Sequence, residues 1–534
     1  MYARQHRLAS TPLSTLHGWL VLGFGAVAGG LLLVNAGDDL GQKIVAMCLL
    51  AFMGMAAVGF DIGHPYVWFG GSFTLYSISG PLLSYLGVHP YLYWGGWPID
   101  SLDFSGAMDL QFLALSVAQA VIGPRRIRLD AAVDHPDTAQ LCKGVMPVLL
   151  LGIVLGAVNV VEILGQGFAA KGQYVLYGGW TTRLSFAFNI LSTALGVYLA
   201  KQFLQTHQSR ALLTVVMVFA VGILVVALVG QRHFLFRAGL ITIFVLHILW
   251  RPLSLRIIAP FALAALLFGS LLGGLKMVLV VDDEPLGAGT AQIDTLYDVL
   301  TLRNPEIAFD SAPVRIVKLT LAGALGTEAM TAGNNLSMIL SRVPNDMPFL
   351  NGSTILSDVA RAFLPGFIVA RQIANTGEVY NNLLFPDTTA VGGGVGFSIV
   401  GYGYIHFGIP GVVLVMMLIG GLVAIVYRWA ARSALGLFFF IGFVPVAVYV
   451  ARTDITGPLS QGIKHVLLPL VLMLIVAGLT NRAEVGIDRR TWFDRRKGVG
   501  VTRHPERDRR STRSDRRTDT PPRRNPMTAA PDKS

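Results

Sequence analysis

Long apolar runs separated by short polar breaks fill most of this chain. Twelve of them stand at 19–34, 44–60, 66–86, 107–122, 145–164, 184–200, 211–229, 234–250, 257–275, 409–427, 435–450 and 463–479. Each approaches the roughly 20 residues that an α-helix needs to cross a hydrocarbon core. None alternates with the period of a barrel strand, and a backbone in lipid must satisfy its own hydrogen bonds, so the runs predict helices. The expected fold is an all-α polytopic membrane protein of about twelve helices. Composition agrees: 53% of the 534 residues are hydrophobic and 14% charged, against roughly 25% charged in soluble domains.

The breaks are unequal, and one is long. More than a hundred residues, 281–397, separate the ninth run from the tenth, too many for an idle connection in a compact protein. The chain therefore divides into an N-terminal segment 1–18, helices one to nine over 19–280, a large loop 281–397, helices ten to twelve over 398–480, and a basic tail 481–534. Cytoplasmic loops hold the excess of Lys and Arg. With both termini inside, the inner segments carry Arg4, Arg7, Arg125, Arg126, Arg128, Lys143, Lys201, Arg210, Arg251, Arg256, Arg428 and Arg432. The short outer loops carry Lys43, Lys171, Arg183, Arg232, Arg452 and Lys464, half as many. This orientation puts the large loop outside, in the periplasm of a cell with an inner membrane. The first run follows a short basic stretch without a small-residue cleavage site and reads as a signal anchor.

Net charge changes the picture little. Of the +11, the tail supplies +8 from sixteen basic and eight acidic residues, with Asp-Arg-Arg recurring at Asp488, Asp494, Asp508 and Asp515. A solvated segment lying on anionic lipid accounts for that pattern; docking to a cytoplasmic partner is the sharper alternative, and nucleic acid is not expected. The two cysteines, Cys48 and Cys142, cannot build a disulfide framework or a Cys-based metal site.

Candidate chemistry gathers around the large loop. Its 353–370 part reads as a short helix with a Ser or Thr cap, an Asp358 to Arg361 pair at i,i+3 and a break at Pro365. Gly392, Gly393, Gly394 and Gly396 then precede the tenth run; glycines there allow either flexible re-entry into the membrane or close backbone approach to a ligand such as a phosphate. Arg237 lies about one turn inside the eighth run, where a charge costs up to roughly 3 kcal/mol, with His233 four residues earlier on the same face. It either snorkels to lipid phosphates or meets an anionic substrate. Glu162 and Asp109 read as structural or pore-lining acids. Tyr91, Tyr93, Trp94 and Trp97 form an interfacial aromatic belt, with stacking on sugar faces as the alternative.

The glycine run, Phe397-Ser398, then Tyr404-Ile405-His406-Phe407-Gly408 and Gly411 resemble the signature before a late helix in the O-antigen and exopolysaccharide repeat-unit polymerases, the Wzy type. Phe363-Leu364-Pro365, leading through Arg371 to Asn381-Asn382 and Phe385-Pro386, is similar to the stretch that ends their large outer loop. Gly230-Gln231-Arg232 is similar to their arginine between two central helices. These matches span about 60 residues; the rest of the likeness is architectural. Many relatives have Glu where this chain has Tyr402 or Gly403 and Asn where it has His406, so no role for that Glu is carried over.

The resemblance implies a glycosyltransferase of the inner membrane that joins repeat units carried on undecaprenyl diphosphate, with no cofactor and no metal. Its implied partners are the lipid-linked glycans, membrane lipid, and the chain-length regulator and flippase of the same pathway. Such a protein must stabilise charge on the leaving diphosphate and assist deprotonation of the attacking hydroxyl. Arginine suits the first task, because its fork of donors keeps its charge. Arg232, Arg237, Arg361 and Arg371 are the candidates for it, with Gln231, His233, Gly392, Gly393 and Gly394 as substrate contacts. Asp358, Glu378, Asp387 and His406 are the candidate bases. A glycan ligase shares donor and fold class and differs in acceptor. A flippase or secondary transporter would show repeats between its halves and charges near the midplane, whereas the charges here gather toward the outer surface.

Overall fold

The computed structural model describes residues 12–87, 102–129, 232–250, 332–363, 374–384 and 397–480, with single positions between 141 and 154, between 253 and 260, and at 311 and 314. Among the described residues every regular element is helical. In chain order they are α1 (Pro12–Ala36), α2 (Leu40–Ala57), α3 (Pro65–Tyr85), α4 (Phe104–Ile122), α5 (Arg232–Val245), α6 (Ala332–Arg342), α7 (Ile355–Phe363), α8 (Thr376–Leu384), α9 (Ile399–Ala430), α10 (Ala434–Val448) and α11 (Thr456–Gly462). Through a π turn at Ile463–Leu467, α11 opens a continuous apolar stretch, Thr456–Thr480. Among the described residues six helices are long and apolar enough to cross a membrane: Pro12–Ala36, Leu40–Ala57, Phe104–Ile122, Ile399–Ala430, Ala434–Arg452 and Thr456–Thr480. Expected runs six, seven and nine, most of run five and the tail lie outside the described residues.

Sequence explains where these helices begin. Asp39, Asp103, Ser398 and Ser433 each accept a hydrogen bond from the amide three residues on, satisfying a donor the first turn leaves free. His64 caps α3 by accepting from the Tyr66 amide. Burial pushes the His64 imidazole down to about 3, which keeps it neutral and able to accept.

The helices pack around an aromatic core where Trp68 and Phe69 of α3, Phe244 of α5, Tyr427 of α9 and Phe440 of α10 meet edge to face or tilted. Trp68 lies 6.2 Å from Phe244 and 6.0 Å from Phe440 between ring centroids. At one end of α5, His247 Nε2 stands 3.3 Å from Asp61 Oδ1, and its Nδ1 accepts from the Leu253 amide at 3.0 Å, tying α5 to the connection between α2 and α3. The same end joins α4 to α9 through the Ile127 amide and the Tyr427 hydroxyl, 3.1 Å apart.

Part of the long interval 281–397 belongs to this core. Residues 332–339 of α6 are buried, and α6 packs against α3 and α4. Pro81 inside α3 cannot donate to the Ser77 carbonyl, and α6 comes against that carbonyl at Gly333, where a side chain would collide with it. The long interval thus contributes a helix on which polar Asn334, Asn335 and Ser337 are all buried.

Helix α9 starts ten residues before the run from which it was expected. Its first turns and its long apolar part are separated at Phe407 and Gly408, the latter at φ 64° and ψ −147°, a conformation essentially restricted to glycine. Pro410 follows and has no amide hydrogen for the His406 carbonyl. The carbonyls freed by the break accept instead from the Leu350 amide (to Ile405, 2.9 Å) and the Asn351 amide (to His406, 3.1 Å). The bend is sharp enough to bring Gly403 against Gly411, where a Cβ on Gly403 would lie 2.7 Å from the Gly411 carbonyl.

Asp109, read as a structural acid, pairs with Lys43, whose ammonium is buried and lies 2.7 Å from its carboxylate. Removing the partner strands a buried charge, partly relieved because the Asp109 side chain is 48% exposed. Asp109→Ala is expected to destabilise the purified protein by about 2 kcal/mol in thermal unfolding, and Lys43→Met in that background to restore most of the loss.

Candidate functional site

The break in α9 sits over a buried polar network built from the large-loop helices. Helix α8 begins with a capping box: Glu378 N–H donates to Asn375 Oδ1 at 2.7 Å, and Asn375 N–H donates to Glu378 Oε2 at 3.4 Å. That cap fixes Thr376 at the first helical position, facing Asp358 of α7. The Asp358 carboxylate is fully buried and accepts three hydrogen bonds: from the Thr376 amide (2.9 Å), the Thr376 hydroxyl (2.6 Å) and the Tyr402 hydroxyl of α9 (2.9 Å). A carboxylate at a helix N-terminus also meets the positive end of the dipole.

His406 lies in the same network, 1% exposed, with Nε2 3.2 Å from the Thr376 hydroxyl oxygen. Thr376 has one hydroxyl proton and gives it to Asp358, so His406 Nε2 carries the proton of its own contact. His406 Nδ1 is buried with no partner among the described residues. Thr354 closes the group through its hydroxyl against that of Thr376, and Ser357 Oγ donates to the Thr354 and Ala374 carbonyls at 2.7 and 3.0 Å.

On the rim, Arg361 of α7 pairs with Glu378 of α8. Thus four of the sequence candidates, Asp358, Arg361, Glu378 and His406, meet at one junction of α7, α8 and α9. Glu378 is engaged both by the cap and by Arg361. Asp358, expected to pair with Arg361, spends its oxygens on Thr376 and Tyr402. Arg232 opens α5 and Arg237 lies one turn on; the side chains of 232–238, and with them those two arginines and His233, lie outside the described residues, as do Gln231, Arg371, Asp387, Gly392, Gly393 and Gly394.

A second acid borders the network. The turn Tyr449–Ile455 between α10 and α11 carries Asp454, part-buried, whose Oδ1 accepts from the Gly457 amide at 3.0 Å. A Cβ on Gly377 of α8 would lie 2.9 Å from Asp454 Oδ2, so the absence of a side chain at Gly377 lets the carboxylate approach the first turn of α8. Burial pushes the Asp454 carboxyl up to about 6; the Gly457 amide opposes this, the charge of Asp358 adds to it, and the Thr456 amide opposes it. Sequence reasoning passed over Asp454 and Arg452, counting the latter only as an outer-loop charge. The available signal was a polar break, Arg452-Thr453-Asp454, between the last two apolar runs.

No family model matches this chain, and no curated protein or solved structure matches it. Fold and composition define its class, a helical membrane-embedded protein with a buried polar network where α7 and α8 meet the broken start of α9.

The raised Asp454 value carries a sign. A carboxyl whose folded pKa exceeds its unfolded value contributes stability that is present below the unfolded value and is lost as pH rises through about 6. Asp454→Asn is therefore expected to raise thermal stability at pH 8 by ~2 kcal/mol, and to leave it unchanged at pH 4, in melts of the purified full chain.

Proposed function

We propose that this protein polymerises undecaprenyl-diphosphate-linked oligosaccharide repeat units into O-antigen or exopolysaccharide at the outer face of the inner membrane. In this reading about twelve helices span the bilayer, both termini are cytoplasmic, and 281–397 supplies the outer part of the site. Arg125, Arg126, Arg128, Arg428 and Arg432 follow α4 and α9 at the end where Ile127 meets Tyr427. The excess of positive charge assigns that end to the cytoplasm. The junction of α7, α8 and α9 then faces outward, where lipid-linked repeats are displayed.

The observation that carries the reading is the segment from Phe397 to Gly411. The residues that resemble the polymerase signature are those that cap α9, break it at Gly408 and present Tyr402 and His406 to the loop helices. A site joining two lipid-linked substrates needs such a fixed meeting of loop and membrane helix, because holding both reactants in register removes much of the entropic barrier. Arg361 with Arg232, Arg237 and Arg371 supplies the cations for the diphosphate, whose departure leaves negative charge.

Deletion of the gene, with rescue by the wild type or by Arg232→Ala, Arg237→Ala or Arg371→Ala variants of verified expression, tests the reading through surface glycan length and lipid-linked intermediates. The expected deletion phenotype is single repeat units without long chains, restored by the wild type and not by the arginine variants. Long polymer persisting on its carrier would make the protein a ligase, and repeats trapped on the cytoplasmic side would make it a flippase.

A further inference from the structure

The turn between α10 and α11 holds chemistry that the network does not consume. Arg452 ends the 3-10 turn Val450–Arg452, which packs against α3, and its guanidinium carbon lies 5.3 Å over the Tyr449 ring. Among the described residues its buried Nε has no hydrogen-bond partner and no carboxylate pairs with it. Its charge also acts on the Tyr76 hydroxyl of α3. A part-buried guanidinium with a free, desolvated donor and aromatic neighbours is arranged to receive an anion from outside the chain. Two residues on, Asp454 is held by the Gly457 amide at 3.0 Å and abuts Gly377.

We propose that Arg452 and Asp454 form the reacting end of the polymerase site, Arg452 binding the donor diphosphate and Asp454 accepting the proton of the attacking sugar hydroxyl. The assignment rests on the polymerase reading above. The acceptor hydroxyl gives its proton to the Asp454 carboxylate while its oxygen bonds to the anomeric carbon of the donor. The bond from that carbon to the diphosphate oxygen breaks, and its electron pair stays on the diphosphate, opposite Arg452. Asp454 then returns the proton to water. Asp358 serves as a positioning residue: its charge adds to the rise in proton affinity that burial gives Asp454, and its oxygens hold Tyr402 and Thr376. Among the described residues, the charge of Asp454 also acts on Tyr402 of α9, Glu378 follows Gly377 in the first turn of α8, His406 of α9 feels the charge of Asp358, and Arg452 stands two residues away.

Three measurements on full-length protein decide the matter. In the deletion strain, Asp454→Asn and Arg452→Ala are expected to leave short glycans, while Arg342→Ala, which opens an exposed ion pair with Asp346, restores wild-type length. In membranes loaded with the strain's own lipid-linked repeats, the wild-type rate rises with pH through the Asp454 range. Asp454→Asn is expected to lower that rate about 100-fold or more and to flatten the profile, and Asp454→Glu to recover part of both. Farnesyl diphosphate, titrated into purified protein, is expected to bind about tenfold more weakly to Arg452→Ala, less so to Arg452→Lys, and undiminished to Asp454→Asn. Wild-type chain length from either variant, an unchanged pH profile in Asp454→Asn, or unchanged farnesyl diphosphate binding in a folded Arg452→Ala protein overturns the assignment and leaves the polymerase reading standing. Failure of the wild-type gene to restore long chains removes that reading, and this inference with it.

Discussion

A buried carboxylate must have its oxygens satisfied by hydrogen bonds, and Asp358 imposes that requirement on three helices at once. Its oxygens take the amide and hydroxyl of Thr376, at the start of α8, and the hydroxyl of Tyr402, in the first turns of α9. Hydrogen bonds to a charged acceptor contribute about 1.5–3 kcal/mol each, and loss of any donor would leave the charge under-satisfied in a region without water access. The position of α8, and so of Glu378 beside Arg361 of α7 on the rim, follows from that one group. The break in α9 is the complementary constraint. Gly408 and Pro410 deprive two carbonyls of helical partners, and the amides of Leu350 and Asn351 replace them just before α7 begins. Loop and membrane helix are thereby joined by backbone on one side and by the Asp358 network on the other.

The rest of the fold serves to hold that joint. Aromatic rings of α3, α5, α9 and α10 fill the middle of the bundle, and small residues let neighbouring backbones approach at the crossings. Gly420 of α9, for example, leaves no Cβ between itself and the Ala118 carbonyl of α4, a distance of 3.0 Å for the atom it lacks. Such contacts brace the joint against the surrounding helices.

Apolar periodicity made the spanning helices legible, because length and the absence of charge are local properties. The expected run at 107–122 and the helix Phe104–Ile122, one of the six long and apolar enough to span, end at the same residue. Two features escaped it. Helix α6 carries Asn334, Asn335 and Ser337, which interrupt the apolar pattern, and it is buried by partners distant in sequence, α3 and α4. The first turns of α9 precede the apolar run at 409–427, because Gly401, Gly403, Gly408 and Pro410 thin the apolar pattern there. Within the site, Arg361, Glu378, Asp358 and His406 were found by their position near a motif. Their partners were misjudged, because Asp358 to Arg361 at i,i+3 is the local choice and Thr376, Tyr402 and Glu378 are the tertiary ones. Asp454 was invisible for the same reason: its environment is made by Gly377 and Asp358, more than seventy residues away in sequence.

Hydrogen exchange on the full chain in detergent, comparing wild type with Asp358→Ala, tests most directly whether this carboxylate holds the joint. The account predicts that protection falls together at the start of α8, in α7 and at the Leu350 and Asn351 amides, while α1, α2 and α4 exchange as in the wild type. If the amides of Thr376, Leu350 and Asn351 keep their wild-type protection, the joint does not depend on Asp358, and the account is contradicted.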